Sequence, residues 1–152
     1  MQEQKKILFV INPISGGKKK TAFNKKVLET LDLQLFNPTF KQTTGPNHAY
    51  ELGLEAIKEG YDAVVAVGGD GTINELGSAL VNSGIPLGII PEGSGNGLAL
   101  YLGIPMNEAA AIRRLNRFET FEVDSGTINN RSFFNIAGLG FDATVSDRFA
   151  ND

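Results

Sequence analysis

The chain has 152 residues, of which 41% are hydrophobic and 20% charged, and this length suits one compact domain with a sizeable core. Its 17 acidic and 14 basic residues give a net charge of −3, so no basic field indicates a nucleic-acid partner. The lack of cysteine excludes disulfides and Cys-ligated zinc, and a single histidine excludes a histidine metal cluster. The first apolar run, Ile7–Ile11, is too short for a signal-peptide core or a membrane span, so we expect a cytoplasmic protein.

Apolar runs alternate with amphipathic segments over residues 1–117. Continuous branched apolar runs indicate strands covered on both faces, and these are predicted at Ile7–Ile11, Asp62–Val67 and Pro86–Ile90. Phe36–Thr43 is predicted as a weaker strand, which follows the first of them in the chain. Pro38 favours an edge position for this weaker strand. Helical spacing or capping residues predict four helices. The first contains Phe23, Val27, Leu28 and Leu31, and the second runs from Asn47 to Gly60 with Ala49, Leu52, Ala56 and Ile57 on its inward face. The third spans Ile73 to Val81, and the fourth is Glu108–Leu115, capped by Asn107. Alternating strands and helices predict a three-layer α/β fold with a parallel sheet.

After about residue 118 the pattern becomes that of a β-hairpin. Phe118–Ile128 and Arg131–Ala137 are predicted as strands joined by a tight turn at Asn129–Asn130. We therefore divide the chain into an α/β domain, residues 1–117, and the beginning of an incomplete all-β domain, residues 118–152. We expect the hairpin's apolar faces to be loosely packed or buried in a homodimer.

Glycine-rich loops follow three of the predicted strands, at Asn12–Gly17, Gly68–Thr72 and Pro91–Gly97. Ligands of an open parallel sheet bind outside the carboxyl ends of its strands. Glycine lets the backbone approach a ligand closely, and free N–H groups at a helix start bind anions. One such loop could be a tight turn and nothing more, whereas three together indicate a phosphate-bearing ligand.

Two common phosphate motifs are absent. The P-loop pattern fails because Gly17-Lys18 is followed by Lys19 and because Asn12 stands where the first glycine belongs. Gly93–Leu98 begins as Gly-x-Gly but lacks the last glycine of the dinucleotide fingerprint. A P-loop enzyme and a dehydrogenase are therefore disfavoured.

Asp70 lies inside a turn that is otherwise suited to anions. A carboxylate beside phosphate requires a bridging cation or must itself accept a proton, and both are features of Mg-dependent phosphoryl transfer. The alternative is a turn-forming aspartate. Thr72-x-x-Glu75 fits a capping box, so we interpret Glu75 as structural.

Other polar and apolar features have simpler interpretations. Lys18–Lys20 could bind nucleotide or an anionic membrane, but a lysine run is usually a solvated face. His48 is interpreted as packing or capping, and Leu98–Leu102 as core in preference to a lipid slot.

The chain resembles the diacylglycerol kinase catalytic family in a series of motifs that keep their order and spacing from about Ile7 to Ala143. These motifs are Asn12-Pro13-x-Ser15-Gly16, Thr43 ahead of His48-Ala49, Gly68-Gly69-Asp70-Gly71-Thr72, Pro91-x-Gly93-Ser94-x-Asn96, and Phe134-Asn135-Ile136-Ala137-Gly138-x-Gly140. NAD kinases and phosphofructokinases carry loops similar to the third motif, but the full series is specific.

The resemblance implies an ATP-binding domain with the topology of the phosphofructokinase and NAD-kinase N-terminal domain, followed by a β-sandwich that completes a cleft for a lipid alcohol. Asp70 is implied as catalytic, either as the general base, as in sphingosine kinases, or as a metal-linked residue, as in bacterial diacylglycerol kinases. The implied ATP-contacting residues are Asn12, Pro13, Ser15, Gly16, Thr43, Gly68, Gly69, Asp70, Gly71, Thr72, Asn74, Ser94 and Asn96. The family's remaining magnesium ligands belong to the second domain, so no metal ligand is assigned within the chain.

The expected function is that of a lipid kinase that uses ATP and Mg²⁺ and contacts a membrane surface transiently. Bacterial family members usually have Thr at position 94 and Asp at position 97, where this chain has Ser94 and Gly97, so the acceptor stays open between diacylglycerol and a sphingoid base. Two alternatives remain: a kinase of a soluble substrate such as NAD, and a nucleotide-binding module that does not complete catalysis alone.

Overall fold

A parallel sheet with helices on both faces forms most of the protein in the computed structural model, which describes residues 3–14 and 20–134. Within those ranges the elements are, in chain order, β1 (Lys5–Ile11), α1 (Lys20–Thr30), β2 (Phe36–Gln42), α2 (His48–Lys58), β3 (Ala63–Gly68), α3 (Asp70–Leu80), β4 (Leu87–Pro91), α4 (Gly97–Tyr101), α5 (Glu108–Leu115), β5 (Gly126–Ile128) and β6 (Arg131–Phe133). No helix among these residues has the length and hydrophobicity needed to cross a bilayer.

The central sheet has the strand order β2-β1-β3-β4, and every neighbouring pair is parallel. From β1 the chain moves to β2 on one side, then returns past β1 to β3 and β4 on the other. The boundary between β1 and β3 is therefore the topological switch point, where ligands of such sheets bind. β2, with Pro38 opposite Ile7, lies at the edge of the sheet as predicted.

Alternate residues of β1 face two separate hydrophobic clusters, one on each side of the sheet. Leu8 and Val10 pack with apolar residues of α2, α3 and α4, whereas Ile7, Phe9 and Ile11 pack with those of α1 and α5. All five side chains are buried. This burial on both faces explains the uninterrupted apolar run and confirms the three-layer α/β prediction.

Two positions of the predicted helical stripes face solvent. Leu28 is 48% exposed and Ile57 is 37% exposed, although their neighbours Val27 and Ala56 are fully buried. Consecutive helical residues point about 100° apart, so a side chain next to a central core position can already lie outside the surface that packs on the sheet. The buried stripes of α1 and α2 are thus narrower than predicted.

Helices α2 and α3 approach closely because Gly53 faces Ala79. A Cβ built on Gly53 would lie 2.6 Å from the Ala79 Cβ, which is closer than packed carbon atoms come. The absence of a side chain at Gly53 therefore sets the separation of two helices that both begin at the carboxyl edge of the sheet.

Replacing Gly53 with alanine is expected to destabilise the full-length protein by about 1–3 kcal/mol, because the new methyl group overlaps Ala79. Adding Ala79→Gly should recover part of that loss by removing the opposing methyl group, even though a glycine within a helix costs about 1 kcal/mol. Thermal denaturation of both single variants and the double variant measures the coupling. If the losses of stability in the two single variants simply add in the double variant, Gly53 and Ala79 are not in direct contact.

The C-terminal hairpin is shorter than predicted. Its strands pair over three residues each, Gly126–Ile128 with Arg131–Phe133, and Asn129 and Asn130 have φ values of 48° and 61°, which a type I′ turn requires. The tight turn is confirmed, but a strand through residues 119–125 is not, because those residues are exposed and this register gives them no partner strand. Residues 135–137 of the second predicted strand lie outside the described residues.

Both ends of the segment 118–134 contact the α/β unit. The ring of Phe118 lies 5.7 Å from that of Phe36, and the ammonium of Lys5 lies 5.0 Å from the Phe118 centroid. Gly77 on α3 leaves space for the ring of Phe134, which a Cβ at position 77 would meet at 2.7 Å. The domain boundary after residue 117, like the loose packing or dimeric burial of the hairpin, stays a prediction.

Candidate nucleotide site at the carboxyl edge of the sheet

The carboxyl ends of the four parallel strands bring the predicted loops to one edge of the sheet. Asn12 follows β1, Thr43 follows β2, Gly69 follows β3 and Glu92 follows β4. Backbone hydrogen bonds continue the sheet pairing into these residues: Asn12 N–H donates to Val67 O, Thr43 N–H to Ile11 O, and Glu92 N–H to Gly68 O, each at 2.9 Å. Residues far apart in sequence are thereby held in a shared register.

The turn Gly68–Thr72 joins β3 to α3. Gly69 is the N-cap residue in extended conformation, and Asp70, Gly71 and Thr72 form the first turn of the helix. The first N–H groups of a helix have no carbonyl partner within it, and the helix dipole makes this end positive. The turn therefore presents backbone donors at the sheet edge.

Asn12 and Thr72 pack against each other beneath this turn. The Asn12 amide Nδ2 lies 3.4 Å from the Thr72 hydroxyl, to which it donates, and the Asn12 Oδ1 accepts from Ile14 N–H at 3.0 Å. A Cβ at Gly68 would lie 2.7 Å from Thr72 Oγ1 and 3.3 Å from Asn12 Cβ. Gly68 is thus required by packing between two loops, independently of any ligand.

Asn96 closes the loop after β4. Its Oδ1 accepts from Gly93 N–H at 2.8 Å, and its Nδ2 donates to Gly93 O at 2.7 Å, while its own backbone has a φ of 54°. Both ends of the side-chain amide are therefore engaged with the loop itself. The predicted nucleotide contact of Asn96 stays a prediction, and its observed role is to shape Gly93–Gly97.

The loops after β3 and β4 touch through glycine. A Cβ built on Gly93 would lie 2.4 Å from Gly69 Cα, and one built on Gly69 would lie 3.0 Å from Gly93 Cα. Both opposing atoms belong to backbone, which cannot rotate aside. A side chain at Gly93 would therefore force the two loops apart, whereas one at Gly69 would make a tight contact that requires a smaller shift.

Asp70 lies between these two loops and is exposed to solvent. Its Oδ2 accepts from Gly97 N–H at 3.2 Å, its Oδ1 lies 3.5 Å from Leu98 N, and a Cβ at Gly95 would lie 3.1 Å from Oδ2. The carboxylate therefore bridges from the start of α3 to the start of α4. An accessible acid stands beside two glycine loops, as the sequence led us to expect.

The Thr72–Glu75 capping box is wrong. Helix α3 begins at Asp70 with Gly69 as its N-cap, so Thr72 is already inside the helix. Glu75 instead accepts hydrogen bonds from Asn47 N–H and Ala49 N–H at the start of α2. The structural interpretation of Glu75 is confirmed, but the helix that it caps is a different one.

Asn47 and His48, at the start of α2, were expected to cap or pack against that helix. Asn47 holds the N-cap position of α2, but with a φ of 65° and no capping bond from its side chain. The His48 Nδ1 accepts from Thr44 N–H at 2.9 Å, which closes the loop between β2 and α2. Thr44 lies ahead of α2, so His48 fastens the preceding loop and does not cap the helix.

The other predicted site residues are placed as follows. Pro13, Asn74 and Ser94 are exposed, and Thr43 is buried. Ser15 and Gly16, together with Lys18 and Lys19 and the side chain of Lys20, lie outside the described residues, as does the family motif after Phe134. No group of three or more His, Cys, Asp or Glu side chains that could hold a metal occurs in the ranges 3–14 and 20–134.

A cavity of about 450 Å³ borders the Gly93–Asn96 loop. Its other walls are formed by Lys26, which pairs with Glu108, and by residues 106–109 at the start of α5. Another cavity, of about 190 Å³, lies between β4, α5 and residues 118–123 and touches none of the glycine loops. The first cavity therefore adjoins the candidate site only along the loop after β4, and neither Asp70 nor the Gly69–Thr72 turn lines it.

The segment Leu98–Leu102 is divided between core and surface. Leu98 and Ala99 are buried, whereas Leu100 and Tyr101 are 59% and 80% exposed. Core packing thus explains the first half of the segment. The second half presents apolar side chains to solvent near the hairpin.

Comparison with known proteins agrees with this architecture. The family model for the diacylglycerol kinase catalytic domain matches residues 6–128. The chain belongs to that family. Diacylglycerol kinase of Bacillus subtilis is 34% identical over 140 residues, which cover 90% of this chain and 46% of that protein. Sphingosine kinase B of Dictyostelium discoideum is 35% identical over 121 residues, covering 74% of this chain and 16% of that protein.

The structural relatives of this diacylglycerol kinase family member have the same fold. The crystal structure of a diacylglycerol kinase from Bacillus anthracis superposes with a TM-score of 0.73 at 25% identity, covering 88% of this chain and 47% of that one. The chain thus spans less than half the length of these relatives.

Proposed function

We propose that this chain is the nucleotide-binding part of an ATP-dependent lipid kinase, which transfers the γ-phosphoryl group of ATP to a lipid hydroxyl with Mg²⁺. Membership of the diacylglycerol kinase family supports kinase activity. The observation that carries the proposal is the contact between Gly69 and Gly93 with the Asp70 carboxylate beside it, because this places backbone donors and one acid at the same accessible edge.

The turn at the start of α3 suits a polyphosphate. The N–H groups of Asp70, Gly71 and Thr72 open the helix, where the positive end of the dipole favours anions. Nothing lies within 4 Å of a Cβ built on Gly71, so a phosphate group can approach the backbone there. Donors of this kind stabilise the charge that spreads over the phosphoryl oxygens during transfer.

Asp70 is the residue to which we assign the acid–base or metal-linked role. In the reaction the lipid hydroxyl oxygen bonds to the γ-phosphorus, the bond to the bridging oxygen breaks, and the hydroxyl proton is released. A carboxylate that is exposed beside the phosphate loops can accept this proton or help to hold a cation. Its hydrogen bonds from Gly97 and Leu98 set its position for either role.

Magnesium fits the donor chemistry of this edge. Mg²⁺ in kinases is usually held by one or two carboxylates together with substrate phosphates, and Asp70 is a carboxylate of that kind. The ion would supply neutralisation of phosphate charge. A cytoplasmic location and transient contact with a membrane surface follow from pairing ATP with a lipid acceptor and form part of the proposal.

The function can be tested by incubating the full-length protein with labelled ATP and Mg²⁺ and one of three acceptors. These are vesicles that contain diacylglycerol, vesicles that contain sphingosine, and NAD in solution. We expect label transfer to one of the vesicle lipids, with vesicles lacking both as the control. Label transfer to NAD and to neither lipid would contradict the proposed lipid acceptor and indicate a kinase of a soluble substrate. ATP binding without transfer to any acceptor would leave a nucleotide-binding module and contradict the kinase proposal.

A further inference from the structure

Glu75 connects helix α3 to the loop between β2 and α2. Its Oε1 accepts from Asn47 N–H at 3.0 Å and its Oε2 accepts from Ala49 N–H at 3.2 Å. These groups lie at the start of α2, where N–H donors lack partners within the helix. Because the side chain of Asn47 makes no capping bond, α2 receives its cap from the neighbouring helix.

The loop that Glu75 holds carries Thr43, a predicted ATP contact. Thr43 N–H donates to Ile11 O at 2.9 Å, which fixes the beginning of the loop to the end of β1. Thr44 N–H donates to the His48 ring, which closes the middle. Glu75 fastens the end of the loop, and it does so from the helix that opens with Asp70.

One helix therefore sets the positions of two parts of the candidate site. The bodies of α2 and α3 are already packed together where Gly53 meets Ala79. The end of β2 is joined to α2 by the Lys41–Glu55 ion pair at 2.8 Å. Loss of the Glu75 carboxylate would consequently release the end of the loop without separating the two helices.

We propose that Glu75 is a positioning residue for nucleotide binding, which keeps the Thr43 loop aligned with the Gly68–Thr72 turn. The inference rests on the proposed binding of ATP. A residue that only caps α2 would contribute to stability, whereas a positioning residue also changes the affinity for ATP in the folded protein.

Glu75→Ala in the full-length protein is the direct test, with Glu51→Ala as the matched control. Glu51 is an exposed acid in the first turn of α2, so its loss removes the same charge near the same helix end and leaves the Glu75 hydrogen bonds in place. We expect Glu75→Ala to speed amide hydrogen exchange at Asn47 and Ala49 and to raise the KM for ATP about tenfold, with kcat within about twofold. Glu51→Ala should change neither, and Glu75→Gln, which keeps one acceptor, should be intermediate.

The rates should be measured well below the unfolding temperature of each variant, so that a loss of folded protein does not affect them. Faster exchange at Asn47 and Ala49 with an unchanged KM would overturn the inference and leave Glu75 as a helix cap alone. Loss of kcat at constant KM, for Glu75→Ala or for the milder Glu75→Gln, would overturn it as well. A wild-type protein that does not bind ATP would instead overturn the proposed function, and the inference with it.

Discussion

Replacing Asp70 with alanine in the full-length protein is expected to lower kcat by about 10²- to 10⁴-fold, the range typical of a lost acid–base group. The carboxylate lies at the accessible edge between the loops after β3 and β4, where it can act on a hydroxyl or a cation. Steady-state kinetics at saturating ATP and acceptor lipid give the change directly. Unchanged turnover would remove Asp70 from the mechanism.

Asp70→Asn separates chemistry from positioning. The amide keeps one oxygen that can accept from Gly97 N–H, but it has no negative charge and cannot act as a base. We expect the asparagine variant to lose nearly as much kcat as the alanine variant while keeping its affinity for ATP closer to wild type. Nearly full activity in Asp70→Asn would assign Asp70 to loop positioning alone.

Gly93→Ala is expected to weaken ATP binding and to lower the rate of phosphoryl transfer by about 10²-fold, because a misplacement of about 1 Å in an active site can cost this much in rate. The added methyl would lie 2.4 Å from Gly69 Cα, so one of the two loops must move. The same overlap should destabilise the protein by about 1–3 kcal/mol. Gly69→Val acts on this contact from the other side and should weaken binding too. Calorimetric titration with ATP measures the affinity, and an unaltered affinity in either variant would show that these glycines form only turns.

Gly71→Ala is the matched control for stability. Nothing lies within 4 Å of a Cβ at Gly71, which stands in the first turn of α3, and alanine is favoured over glycine in a helix by about 1 kcal/mol. Its melting temperature should therefore equal or exceed that of the wild type. A decrease as large as that in Gly93→Ala would contradict an effect specific to the contact between Gly69 and Gly93.

The fold follows from patterns that the sequence carries locally. β1 and β3 are uninterrupted apolar runs because both faces of each strand are covered, and Pro38 marks the edge strand because it lacks an N–H donor. The hairpin turn was predictable from two adjacent asparagines, which tolerate positive φ. The extent of its strands was not, because an apolar stretch becomes a strand only where a partner strand is available.

The candidate site was predictable in outline because parallel strands end at one edge. Its internal hydrogen bonds were not. The hydrogen bond between Asp70 and Gly97 joins residues 27 positions apart, and that between Glu75 and Asn47 joins residues 28 apart. No local sequence pattern predicts either bond. The capping box predicted at Thr72 was wrong because α3 begins two residues earlier, at Asp70. Side chains that join loops depend on tertiary packing, which one sequence does not reveal.

Hydrogen exchange of the full-length protein with and without a non-hydrolysable ATP analogue tests the central claim most directly. We expect the analogue to slow exchange in the two contacting loops, Gly68–Thr72 and Gly93–Gly97, because their N–H groups would face the phosphates. Protection confined to other surfaces, with both loops exchanging at their unliganded rates under saturating analogue, would contradict a polyphosphate site at this edge of the sheet.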